Sequence, residues 1–241
     1  MDALDKRRAL AMVAKGVAGC RDCGLCAGRT NTVPGEGSAE AQIMFIGEGP
    51  GFYEDQQGRP FVGASGKFLD QLLASIGLDR RTVFITNVVK CRPPDNRDPQ
   101  PDEIAACGKY LGEQISVIQP KVIVTLGRHS MQRYFPGEAI GKVHGQPRRK
   151  DETIVVPMYH PAAALHQGSL RNVIEADFRK LPDLLSRILS NSAAPAPSNT
   201  APVPAHLRRP ENGTINATER TAAASSAEKP QAEAQQQMRL L

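Results

Sequence analysis

Short β-branched apolar runs recur along the chain at Gln42–Gly47, Val83–Asn87, Lys121–Leu126 and Thr153–Met158, with helix-length sequence between them. That alternation predicts an α/β fold, a parallel sheet flanked by helices. Helical spacing supplies the flanking elements. Phe68, Leu69, Leu72, Leu73 and Ile76 trace one face of a helix that Gly77 closes at its C-terminal end. A second helix is predicted over Asp102–Ile118, with Pro101 and Asp102 suited to its first turn. A third is predicted over Val173–Leu189, kinked or broken at Pro182. Three of the strands run straight into polar segments: GEGPG from Gly47, NVVKCRPP from Asn87 and YHPAA from Tyr159. Ligands of open α/β sheets sit beyond the C-terminal ends of the strands, so these segments are expected to share one crevice.

The apolar pattern stops at about Ser190. Beyond it Ala, Pro, Ser, Thr, Asn and Gln dominate and no aromatic residue occurs, which leaves too little apolar surface to offset the entropy of ordering. The expected organisation of the 241 residues is one domain over 1–189 and a disordered tail over 190–241. The longest apolar stretches, such as Ile43–Ile46 and Val122–Leu126, fall far short of the ~20 residues that cross a bilayer. The N-terminus is basic but has no sustained apolar core, so it does not read as a secretory signal. A cytoplasmic protein is expected. The net charge of +5 permits a polyanionic partner without requiring one.

Five cysteines in a chain with no export signal argue against a disulfide framework and toward metal binding or chemistry. Cys20 and Cys23 form a C-x2-C pair, with Cys91 and Cys107 far downstream. Four thiolates brought together would hold a tetrahedral metal or an iron–sulfur cluster. The competing reading makes Cys91 and Cys107 small buried hydrophobes, and spacing leaves both open. Cys26 extends the pair to C-x2-C-x2-C, as in a bacterial ferredoxin run, but no fourth cysteine follows nearby.

The glycines of GEGPG permit a tight turn where backbone N–H groups approach a ligand. As a dinucleotide motif it fails, because G-x-G-x-x-G is incomplete and Pro50 removes a donor. His160 precedes Pro161, which favours extended backbone just past a strand end. Asn87 either finishes a strand by bonding the next turn or faces the crevice. KCRPPDNRDP (Lys90–Pro99) is a rigid basic loop whose Lys90, Arg92 and Arg97 are candidates for phosphate contacts. Taken singly, none of these signals names a reaction.

Taken in order, CRDCGLCAGRT, GEGPG, GRPFVG, ITNVVKCRPPDNR, a later Cys and YHPAA resemble the family 4 uracil-DNA glycosylases, and also the related N-terminal portions of phage-type DNA polymerases. The resemblance runs from about Cys20 to about Leu185. It implies a three-layer α/β/α domain with a four-stranded parallel sheet, and a structural [4Fe-4S] cluster on Cys20, Cys23, Cys91 and Cys107, with Cys26 a bystander. It implies an enzyme of base-excision repair that flips uracil out of DNA and hydrolyses its N-glycosidic bond, leaving an abasic site.

In such an enzyme Phe61 stacks on the base and Asn87 reads the uracil edge through an amide that both donates and accepts. His160 hydrogen-bonds the charge developing on uracil O2. Glu48 and the backbone around Gly49 line the pocket floor, with Glu48 a candidate to position the attacking water or stabilise the cationic sugar. Glu54 crowds uracil C5 against the thymine methyl. The segment after His160 matches a loop that enters the minor groove, with Leu165 as wedge and Arg171 as phosphate contact. Nothing resembling a KRIH-type insertion follows Lys90, so turnover rather than covalent capture of the abasic product is expected.

The partners so implied are single- or double-stranded uracil-containing DNA, met by a monomer. Gln237–Leu241 (QMRLL) further resembles the peptide by which bacterial repair proteins dock on the sliding clamp. Two other readings compete, a catalytically silent DNA-binding module and a small iron–sulfur electron carrier. Retention of Glu48, Phe61, Asn87 and His160 together favours the enzyme.

Overall fold

The structure, a computed structural model, describes residues 1–193. Most of the expected tail, including Gln237–Leu241, lies outside the described residues. The six strands are β1 (Glu36–Gly37), β2 (Ile43–Gly47), β3 (Phe84–Asn87), β4 (Val122–Leu126), β5 (Arg148–Lys150) and β6 (Thr153–Met158). They form one sheet in the order β1-β3-β2-β4-β6-β5. The inner four are parallel, with Gly47 opposite Asn87 and Leu126 opposite Met158. They coincide with the four apolar runs, because strands covered on both faces read as continuous hydrophobic sequence. The sheet extends beyond those four through β1 and β5, which add as antiparallel edges. At two and three residues they are too short to show a periodicity.

The helices are α1 (Ala3–Gly19), α2 (Phe52–Gln57), α3 (Ala64–Ser75), α4 (Pro101–Ile118), α5 (Arg128–Gln132), α6 (Ile140–Val143), α7 (Pro161–His166), α8 (Ser169–Phe178) and α9 (Leu181–Ala193). Alternate strand residues face opposite sides of the sheet. Met44, Ile46, Ile123 and Val155 pack with Val13 and Val17 of α1 and Tyr110 and Leu111 of α4. Ile43, Phe45, Val124 and Val156 pack with Phe68, Leu69 and Leu72 of α3 and Ile174 and Phe178 of α8. The result is three layers, α/β/α. Across the second core Phe45 stacks on Phe178 with ring centroids 5.7 Å apart.

Helix boundaries follow local chemistry. α3 ends where Gly77 takes φ +74° and the Leu78 N–H reaches back to the Leu73 carbonyl at 3.0 Å, a wrap that a residue with a Cβ resists. α4 opens on a capping box in which Glu103 accepts the Gln100 N–H at 2.8 Å. The predicted third helix is two, α8 and α9. Pro182 lies in the first turn of α9, where its missing N–H leaves no helical bond unmade. α9 continues to Ala193, just past the expected domain boundary. Among the described residues no helix is long and apolar enough to cross a membrane.

Candidate functional site

The C-terminal ends of β2, β3 and β6 open onto a cavity of about 440 Å³ around which Glu48, Gly49, Glu54, Phe61, Asn87 and His160 gather. Gly47 makes their convergence possible. A Cβ there would overlap the Asn87 Oδ1 and come within 2.7 Å of the Phe61 ring. Asn87 is buried at the end of β3 and lines the cavity, where its side-chain amide offers a ligand both a donor and an acceptor. Phe61 has left-handed backbone, φ +52°, an unfavourable conformation for a bulky residue. Two neighbours enforce it. The Phe61 carbonyl fills the space that a Cβ on Gly66 of α3 would occupy, and Arg80 donates to the carbonyls of Phe61 and Pro60. Arg80 is itself fixed by Glu36 at 2.7 Å and Asp70 at 2.6 Å.

His160 stacks on Phe61, with centroids 5.4 Å apart and planes 26° from parallel. It also caps α7, its Nδ1 accepting the Ala162 N–H at 3.1 Å. Burial pulls the imidazole pKa down from 6.5 to about 4, against a smaller opposing pull from Glu54. The ring is therefore neutral at physiological pH. With Nδ1 engaged as an acceptor, the single ring proton is assigned to Nε2. Glu54 is held by the N–H groups of Val62 at 3.0 Å and Gly63 at 3.1 Å, which fix its carboxylate at the cavity wall.

Glu48 is half-buried beside residues that the sequence did not single out. Its Oε2 lies 3.7 Å from His129 Nε2, which in turn lies 3.1 Å from Asp98. Arg128 donates to Asp98 and, at 3.0 Å, to the His129 ring. Burial pushes the Glu48 carboxyl above its usual range, and His129 works in the opposite direction. A carboxylate so placed can orient a water or face a developing positive charge.

A second constellation lies elsewhere in the fold. Cys20 and Cys23 follow α1, Cys91 lies beyond β3 and Cys107 within α4, and all four line one cavity. Cys26 lines it too. Arg29 donates to Cys91 Sγ at 3.2 Å and the Lys90 N–H to Cys107 Sγ at 3.3 Å. Among the described residues no three of these sulfurs come within 4.8 Å of one another. A single tetrahedral zinc, with Zn–S ≈ 2.3 Å, would need sulfurs roughly 3.8 Å apart. All five cysteines are free of disulfides, so the thiols that converge on this cavity are available as metal ligands.

The family model of the Uracil DNA glycosylase superfamily matches residues 34–181. The chain is 53% identical to the Type-4 uracil-DNA glycosylase of Sulfurisphaera tokodaii over 76% of this chain and 86% of that protein. It is 50% identical to the Type-4 enzyme of Saccharolobus solfataricus, over 77% and 88%, and 46% identical to that of Archaeoglobus fulgidus, over 73% and 92%. The chain belongs to the type-4 uracil-DNA glycosylases.

In this type-4 glycosylase the expected DNA-contact residues fall into different environments. Lys90 requires a correction: it is only 1% exposed and cannot meet a phosphate. Its ammonium donates inward, to Thr86 Oγ1 at 2.6 Å, the Asn87 carbonyl at 2.8 Å and Gln114 Oε1 at 2.8 Å. Burial lowers its pKa to about 7, with the nearby Cys107 opposing. Lys90 thus ties the cysteine-bearing loop to Asn87. Arg97 is clamped on Glu103 by two bonds, at 2.9 and 2.7 Å, which directs its guanidinium to the start of α4. Arg92 lies over Phe52. Arg171 lies 4.6 Å over Phe68 and bonds Glu175 and Gln71, yet stays half exposed. Leu165 is 50% exposed on α7. His129 and Asp98 were legible only as residues just past β4 and within the Lys90–Pro99 loop. A histidine following the VTLG strand end is the signal that would have found the pair.

Proposed function

We infer that this chain flips uracil out of DNA and hydrolyses its N-glycosidic bond, leaving an abasic site, in base-excision repair of deaminated cytosine. The observation that carries the reading is a neutral His160, its Nε2–H available in the same cavity as the Phe61 ring and the Asn87 amide.

Uracil within a duplex is out of reach, so extrusion precedes chemistry, at a few kcal/mol that is least for a mispaired base. Phe61 then stacks on the base and Asn87 pairs with its edge. Gly49 backbone and Glu48 form the floor, and the Glu54 carboxylate crowds C5, where thymine carries a methyl. As the glycosidic bond lengthens, negative charge gathers on uracil and positive charge on the sugar. The His160 Nε2–H stabilises the charge at O2, and the Glu48 carboxylate orients the attacking water or faces the cationic sugar. Outside the pocket, Leu165 wedges the duplex while Arg92, Arg97 and Arg171 meet phosphate.

Cys20, Cys23, Cys91 and Cys107 would hold a [4Fe-4S] cluster, with Cys26 beside it. Such a cluster supplies a covalent tie between the end of α1, the loop after β3 and α4. The catalytic domain is then residues 1–189, acting as a monomer, and Gln237–Leu241 would tether it to a sliding clamp through the tail. The test is direct. Iron-loaded protein is incubated with oligonucleotides carrying one uracil, single-stranded or opposite G or A, and should release free uracil from each while leaving thymine and cytosine controls intact. Failure to release uracil at full iron content would end the reading.

A further inference from the structure

Two aromatic rings stand in solvent at the mouth of the uracil cavity without a part in the chemistry above. Phe52 and Tyr53 open α2 directly after Gly51 and are 50% and 61% exposed. Their rings meet edge to face, with centroids 5.5 Å apart at 81°. The Arg92 guanidinium lies 5.2 Å from the Phe52 centroid and is held by Asn96, which accepts from Nε at 2.8 Å. The patch is continuous with the cavity. Gly51 and Asn96 line the cavity itself, and the Tyr53 ring packs against Gly63, whose N–H holds Glu54.

A flat apolar ring beside a fixed cation, at the lip of a cavity that takes one base from a polyanion, fits another base of the same strand. The cation complements phosphate, as does the chain's net charge of +5. The ring offers a face to any of the four bases, since each has a π-surface. In a duplex the neighbours of a flipped nucleotide keep their own stacking partners, whereas in a single strand their faces are open.

We propose that Phe52, Tyr53 and Arg92 form a stacking subsite for an unpaired nucleobase flanking the flipped uracil, giving the enzyme a grip on single-stranded DNA that it does not use on duplex. The proposal rests on the uracil-excision reading for the location of the flipped base. Phe52 carries the stack, Arg92 stiffens that ring and faces the backbone, and Tyr53 buttresses it from the side.

The test measures binding separately from cleavage. Fluorescein-labelled oligonucleotides carrying one 2′-fluoro-2′-deoxyuridine, whose glycosidic bond resists hydrolysis, are titrated with full-length, iron-loaded wild type, Phe52→Ala, Tyr53→Ala and Phe52→Trp, as single strand and as duplex. Phe52→Ala should weaken single-strand binding about tenfold, the effect of one lost base–aromatic stack. Duplex affinity should change less than about twofold, and Phe52→Trp should restore the single-strand value. Single-turnover excision of ordinary deoxyuridine at saturating enzyme should match wild type in every variant. Unchanged single-strand affinity in Phe52→Ala, or an equal loss on both substrates, overturns the proposal. A wild type that binds in this pattern but releases no uracil would instead overturn the excision reading, so the two failures are distinguishable.

Discussion

Replacing His160 with alanine should lower single-turnover uracil excision by roughly 10²–10³, the usual effect of deleting one donor to a developing oxyanion in a dry site. The donor is specific. Ala162 N–H occupies Nδ1 at 3.1 Å, so only Nε2–H can reach the base. The substitution also deletes the cap of α7, worth about 1 kcal/mol, and the ring stacked on Phe61, so thermal melts must accompany the kinetics to separate rate from stability. The pH profile adds a second constraint. With the folded pKa at about 4 against 6.5 for an ordinary histidine, the ring stays neutral in the folded protein from pH 8 down to about 5. Its contribution to the rate should be flat over that span. Stability behaves differently, because the unfolded chain takes up this proton first. The contribution is fully present above pH 6.5 and is lost as pH falls toward 4, amounting to roughly 3 kcal/mol. The assay is burst-free single-turnover excision at saturating enzyme over pH 5–8, for wild type and His160→Ala. A rate within tenfold of wild type, or a wild-type limb near pH 6.5 that vanishes in the variant, would refute the neutral-donor argument.

Three further expectations follow from the geometry. Burial raises the Glu48 carboxyl, so the wild-type rate should fall on the acid side at a higher pH than an exposed glutamate would dictate. Glu48→Gln should lose that limb and be slower by roughly 10²-fold at neutral pH, read from kmax against pH. Lys90→Met keeps the volume but removes the donor to the Asn87 carbonyl, Thr86 Oγ1 and Gln114 Oε1, leaving Gln114 Oε1 only the Thr86 hydroxyl at 3.3 Å, at about 1–3 kcal/mol for a buried acceptor left unpaired. Thermal melts should show the loss, with weaker uracil inhibition and unchanged iron content. Cys91→Ser should reduce bound iron and the brown absorbance together with the melting temperature, measured by iron assay and calorimetry.

Much of the scaffold was legible because its signals are local. Ile43–Ile46 and Val122–Leu126 read as strands since both their faces are covered, as β2 and β4 show. Gly77 and Pro101 mark helix ends by their own backbone chemistry. What was illegible depends on partners distant in sequence. Lys90 sits in a basic, proline-rich loop and reads as a phosphate contact, but Gln114, far along α4, supplies an acceptor that turns it inward. The left-handed backbone of Phe61 is set by Gly66 and Arg80 rather than by its own preference. His129 and Asp98 meet Glu48 only because β4 and the Lys90–Pro99 loop end at the same edge of the cavity.

The most direct test of the account is product analysis of a single turnover run in heavy-oxygen water. Uracil hydrolysis at this site predicts free, unlabelled uracil and an abasic strand carrying the heavy oxygen at the sugar carbon, with the protein recovered unmodified. Absence of free uracil, or a persistent covalent bond between protein and DNA, would contradict it.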